Sequence, residues 1–431
     1  MSGTPEKLAL ERCIERYIQA NPNSAHQLSW AARVMPGGNT RSVLFYEPFP
    51  LVMSGGIGCF LDDLDGHRYV DFLAEYTAAL YGHSHPVITH ALTTAMANGL
   101  NLSAHTELEA RLATLIVERF ACIEQVRFTN SGTEANLLAL AAAKAYTGRD
   151  AILAFNGGYH GGVLSFAGPH TPMNVPHRLH LADYNDLSDV EQLLARHPGE
   201  FAAILVEPML GASGCICAEE GFLEGLREMS LAHGTLLIFD EVMTSRLGPG
   251  GLQEKLGVTP DLITLGKYLG GGMPCGMLGG RRDIMAQFAP RGGCLSHAGT
   301  FNNNVMTMAA GIAGLEQVYT RDAAAALNAR GDWLRGQLNA VLARLPMHFS
   351  GQGSVMNLHP TAAPIRRPSD SPTDRNHLRD LFFFHLLECG IYSARRGLFA
   401  LSVPLTEQEF IRLITATHRF VERYGGLLRS D

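Results

Sequence analysis

Four short runs, 151–155, 203–206, 236–239 and 262–265, are apolar but for Thr264 and show no polar alternation. A strand with one wet face alternates, whereas one that is apolar throughout is buried on both faces, as in a parallel sheet covered by helices. Helical stretches fall between several of these runs, such as 222–233. Leu108, Leu112, Leu115, Ile116 and Arg119 fit one helix, with Thr106 as its cap. A further helix is predicted over 304–319. Residues 82–320 therefore read as a large α/β domain with a mainly parallel sheet.

The pattern differs on either side of this block. Residues 7–32 place Leu8, Leu10, Cys13, Ile14, Tyr17 and Ile18 on one helical face. Residues 51–72 alternate β-rich runs with turns, and Asp65-Gly66 between 59–61 and 69–72 signals a hairpin. Beyond residue 321, two helices around short strands and a proline-rich loop at 360–372 predict a smaller α+β unit. The predicted organisation is 1–81, packing with the small unit, then 82–320, then 321–431.

Composition narrows the class. The chain has 431 residues, 46% hydrophobic and 17% charged, so it can bury a large core. A net charge of -7 gives no basic footprint for nucleic acid. No apolar run approaches a membrane span, and no secretory signal is read at the start. The eight cysteines are scattered, which fits reduced thiols in a cytoplasmic protein. Cys215 and Cys217 lack a second ligand pair, so no metal site is expected.

Candidate chemistry sits where the buried runs end. Lys267 follows Leu262-Ile263-Thr264-Leu265-Gly266 and precedes a glycine cluster. It is either a surface lysine before a turn or an amine held in a cleft for a Schiff base. Asp240 follows 236–239. A buried carboxylate needs a partner, either a pyridinium nitrogen, helix N–H groups or a metal. Glu207 is another strand-end acid. Tyr159, flanked by glycines on a loop that reads as open and mobile, either stacks on a planar cofactor or lies on the surface. Ser131, Gly132 and Thr133 open an Ala/Leu-rich helix. That start suits either a phosphate or an ordinary capping box with Glu134. Arg41, in a glycine-rich loop, is either solvated or forked onto a carboxylate. In open α/β sheets, ligands bind outside the carboxyl ends of the strands. A phosphate cup, a stacking ring, an acid for a ring nitrogen and an aldehyde-capturing amine together describe a site for pyridoxal 5′-phosphate.

With these residues in view, the chain resembles the class III aminotransferases, of the fold-type-I pyridoxal-phosphate enzymes. The motifs are Asn130-Ser131-Gly132-Thr133-Glu134-Ala135-Asn136, Gly158-Tyr159-His160-Gly161, Asp240-Glu241-Val242, Thr264-Leu265-Gly266-Lys267 and Gly299-Thr300-Phe301. Within the class it is similar to the branch holding glutamate-1-semialdehyde aminomutases and β-phenylalanine aminotransferases. Arg41-Ser42-Val43-Leu44-Phe45-Tyr46 and Ala74-Glu75-Tyr76-Thr77 point to the latter.

The resemblance implies that Lys267 forms the Schiff base with the cofactor and Asp240 pairs with its pyridine nitrogen. Gly132 and Thr133, with Ser131, hold the phosphate. Tyr159 covers one ring face and Val242 the other. Thr300 reaches the phosphate of the neighbouring subunit in a homodimer. Arg41 and Arg396 grip substrate carboxylates, with Arg395 as a rival for the second role. The implied reaction moves an amino group from a β-amino acid to a keto acid such as 2-oxoglutarate, in two half-reactions. An aminomutase is the runner-up, and a non-catalytic pyridoxal-phosphate-binding regulator is the reading from another class.

Overall fold

The structure is a computed structural model that describes residues 4–168 and 172–428. Its central sheet has the spatial order Gln125–Thr129, Gly276–Gly280, Leu262–Gly266, Leu236–Asp240, Phe201–Val206, Ala151–Phe155, Leu179–Ala182. The four runs are the adjacent inner strands, and every residue of those strands is buried. Their pairings with one another are parallel. The expected α/β fold, with helices flanking a mostly parallel sheet, is the one observed.

Gly276–Gly280 is the exception, antiparallel to both of its neighbours. Its Gly-Met-Leu-Gly-Gly sequence has no strand signature. The glycines are there for packing. A Cβ on Gly276 would sit 2.0 Å from the Ser131 carbonyl oxygen, and one on Gly279 would sit 2.7 Å from Ile123 Cδ1.

The single helix expected over 7–32 is two, Pro5–Ala20 and Pro22–Ala31. Pro22 lacks an N–H and pushes Asn21 out of the helical region, so the first helix ends there. Of the face read from sequence, Cys13 and Tyr17 are buried, while Leu8 and Ile18 are exposed. Thr106 does occupy the cap position of Glu107–Arg119, but its hydroxyl makes no cap bond.

The hairpin at Asp65-Gly66 forms between Phe60–Asp63 and Arg68–Asp71. Ile391–Tyr392 adds to Arg68–Asp71 in parallel, so N- and C-terminal segments share one sheet. After residue 321 the described chain has three helices, Arg321–Leu342, Asn376–Glu388 and Glu407–Leu428, where two were expected. Asn376–Glu388 buries Leu378 and every residue from Leu381 to Leu387, so its solvent-facing polar positions are confined to its ends and leave little periodicity to reveal it. Among the described residues, no helix is long and apolar enough to cross a membrane.

Candidate active site

Asp240 ends its strand with its side chain almost wholly buried. Asn136 Nδ2 donates to Asp240 Oδ2 at 2.8 Å, and the amide of Val242 donates to Oδ1 at 3.0 Å. His160 Nδ1 lies 2.8 Å from the same Oδ2. Asn136 is fixed in turn, because its Oδ1 accepts from Thr264 Oγ1 at 2.8 Å and its amide group also donates to the His160 carbonyl at 3.1 Å. A carboxylate held this way keeps a single orientation at the strand end.

Lys267 follows the neighbouring strand. Its φ of 56° lies in the left-handed region, unusual for a side chain with a Cβ. The residue is half-buried and makes no hydrogen bond or ion pair among the described residues. Burial pushes the amine down to about 8 from its ordinary 10.5, against the attraction of Asp240 and Glu207. Arg396 and Arg246 press in the same direction as burial. An amine near neutrality is available as a nucleophile and as a proton carrier.

Tyr159 is 46% exposed, so one ring face is open. Its loop is not the mobile turn read from its glycines. The Tyr159 amide donates to Glu207 Oε1 at 2.8 Å, and Phe166 N donates to the Gly158 carbonyl at 2.7 Å. Glu207 Oε2 also accepts from the Gly211 amide at 3.0 Å. Burial raises the Glu207 carboxyl, with nearby Asp240 adding to the rise and His160 opposing it.

The helix Gly132–Thr147 begins beside this loop. Ser131 Oγ accepts from the Glu134 amide at 3.2 Å, and Glu134 Oε2 accepts from the Asn130 amide at 2.8 Å. The capping alternative is thus realised. It leaves the amides of Gly132 and Thr133 at the first two helical positions, where no intrahelical acceptor exists. A Cβ on Gly132 would lie 2.8 Å from both Val242 methyls, so the glycine lets Val242 close against the helix start. A Cβ on Gly161 would meet Thr133 Oγ1 at 2.1 Å. An unpartnered amine, an oriented buried acid, an open ring face and free helix-start amides suit pyridoxal 5′-phosphate.

Other expected residues lie further out. Thr300 is exposed, in an irregular stretch held to the helix start where Asn130 Nδ2 donates to Asn302 Oδ1 at 2.9 Å. Arg41 is half exposed and its Nη1 bonds Glu75 Oε1. Arg395 forks onto Asp380 at 2.8 and 2.7 Å. Arg396 has no ion pair among the described residues. It lies 5.1 Å from the Tyr76 ring centre, donates to the Ala212 carbonyl at 3.3 Å and keeps a buried Nε without a partner. Only Arg396 of this pair is free to take a new anion.

Sequence reasoning left His160 and Glu207 without roles and gave none to Asn136. Their signals were present, since Asn136 and His160 stand within quoted motifs and Glu207 follows a buried run as Asp240 does. Nothing local, however, says that residues 136, 160 and 240 meet.

A family model described as Aminotransferase class-III matches residues 45–358. The β-phenylalanine transaminase of Variovorax paradoxus is 54% identical over 422 residues, 97% of this chain and 97% of that protein. A crystal structure of a β-phenylalanine aminotransferase from Variovorax paradoxus superposes with a TM-score of 0.97 at 53% identity, covering 98% of this chain and 99% of that one. The glutamate-1-semialdehyde 2,1-aminomutase of Methanothermobacter thermautotrophicus is 38% identical over 377 residues, 84% of this chain and 89% of that protein.

Proposed function

Because this chain belongs to the class-III aminotransferases, a family that works with pyridoxal 5′-phosphate, we propose that it moves the amino group of a β-amino acid such as β-phenylalanine to a keto acid. The acceptor is 2-oxoglutarate, and the two halves of the reaction alternate on one site. The observation that carries this reading is the unpartnered Lys267 amine, lowered to about 8 by burial although Asp240 and Glu207 attract its charged form. The 54% identity to a β-phenylalanine transaminase supports the donor class.

When bound, the cofactor supplies a ring that withdraws electrons from the substrate carbon. The chain's own groups do the rest. Lys267 Nζ takes the proton from that carbon and returns it elsewhere, acting as base and then as acid. Asp240, oriented by Asn136 and His160, keeps a proton on the ring nitrogen. The Gly132 and Thr133 amides, with Ser131, hold the phosphate. Tyr159 and Val242 confine the ring from opposite faces. Arg41 and Arg396 orient carboxylates, and two arginines serve a site that accepts two differently shaped acids in turn. Thr300, exposed in the single chain, completes the phosphate site of a neighbouring subunit in a homodimer.

The test is a donor screen with 2-oxoglutarate, using both enantiomers of several β-amino acids and mass-spectrometric detection of keto-acid product and glutamate. Glutamate formed in step with a β-keto acid is the expected result. Rearrangement of an amino group within one molecule, with no glutamate, would replace this reading with the aminomutase.

A further inference from the structure

A cavity of about 290 Å³ opens between the segment 43–46 and the start of the helix Asn376–Glu388. Val43, Phe45, Tyr76 and Tyr392 form its apolar side, and Arg379 and Arg396 stand on its wall. Arg395 and Asp380 also line it, but they neutralise each other through their paired bonds. The cavity therefore carries two guanidinium groups with no ion pair among the described residues.

Arg379 has no role in the site described above. Its Nη2 donates to Asn376 Oδ1 at 2.5 Å and its Nη1 to the Arg396 carbonyl at 3.3 Å. Both acceptors are neutral. The first turn of its helix holds no acidic residue. Burial lowers the Arg379 guanidinium, Asp380 opposes this, and the charge of Arg396 lowers it further. Two cations sharing a half-closed, partly apolar space lack a counter-ion, and each has a fork suited to a carboxylate. Arg396 connects this space to the reacting end of the site, since it donates to the Ala212 carbonyl, and the adjoining Gly211 amide donates to Glu207, which also holds the Tyr159 amide.

We propose that Arg379 is a specificity-determining residue that receives the distal carboxylate of a dicarboxylic keto acid whose other carboxylate lies on Arg396. A monocarboxylate satisfies one guanidinium and leaves the second half-buried without a counter-ion, so a dicarboxylate matches the cavity better. This assignment rests on the aminotransferase reading given above and adds the residue that receives the acceptor's second carboxylate.

The experiment has a binding arm and a kinetic arm. In the first, glutarate and butyrate are titrated into cofactor-loaded enzyme by calorimetry. The wild type is expected to bind glutarate at least tenfold more tightly, and Arg379→Met to lose that difference. In the second, the ratio of kcat/KM for 2-oxoglutarate over pyruvate is expected to fall at least tenfold in Arg379→Met and to recover in part in Arg379→Lys. Equal binding of glutarate and butyrate by the wild type overturns the proposal, and so does a ratio that stays within twofold in Arg379→Met. If Arg379→Met does not fold, the wild-type titration and Arg379→Lys still decide. Failure of the wild type to transfer amino groups from any β-amino acid would instead sink the functional reading. The glutarate comparison would still judge the cavity.

Discussion

The imidazole of His160 meets the Asp240 carboxylate at 2.8 Å, and both side chains are closed off from solvent. The two residues are separated by 80 positions, Asp240 at the end of its strand and His160 on the loop after another. Replacing Asp240 with Asn keeps the shape but removes the charge proposed to face the ring nitrogen. Asp240→Asn should lower kcat/KM by at least about 100-fold while the far-UV spectrum stays native. His160→Leu takes away one partner of a buried acid and should cost about 1–3 kcal/mol in urea unfolding. It should also weaken cofactor retention on dialysis.

Lys267→Ala should abolish turnover and the visible absorbance of lysine-bound cofactor, with no loss of solubility. In the apoprotein the amine is lowered to about 8, so its neutral fraction grows as pH rises through that value. The rate at which added cofactor condenses with apoprotein should therefore rise and level off above about 8, rather than near 10.5. The same shift makes the folded apoprotein bind fewer protons than the unfolded chain between these values. Its stability should climb with pH across that window, measured by unfolding at fixed temperature.

Arg395 and Arg396 should separate cleanly. Arg395→Met breaks the fork to Asp380, a partly buried pair, and should appear chiefly as lost stability, on the order of 1 kcal/mol. Arg396→Met should raise KM for carboxylate substrates at least about tenfold, the weight of one charge-assisted contact. Steady-state kinetics beside thermal unfolding of both variants checks the split.

Gly132→Ala places a methyl group 2.8 Å from both Val242 methyls, with no far flexible end to swing away. Either the helix start or Val242 must shift. Cofactor affinity should drop at least about tenfold, read by fluorescence titration of apoprotein, and extra free phosphate should not restore it.

The chain's sequence by itself determined the elements that bear the chemistry. Runs such as 236–239 are apolar on both faces, so they read as inner strands, and the residue after such a run is held at a sheet edge. That placed Asp240 and Lys267 by the motifs alone. Local sequence did not show the glycine strand Gly276–Gly280, whose composition answers to atoms of Ser131 and Ile123 far along the chain. It predicted two helices after residue 321 where the described chain has three, and the long buried run Leu381–Leu387 of Asn376–Glu388 leaves little periodicity to read. Tertiary structure alone decided that Asn136 and His160 share one oxygen of Asp240, that Glu207 pins the Tyr159 loop, and that Arg395 is occupied while Arg396 is free. Each of these is a meeting of side chains many residues apart, fixed by how strands order and stack, and no short stretch of sequence contains it.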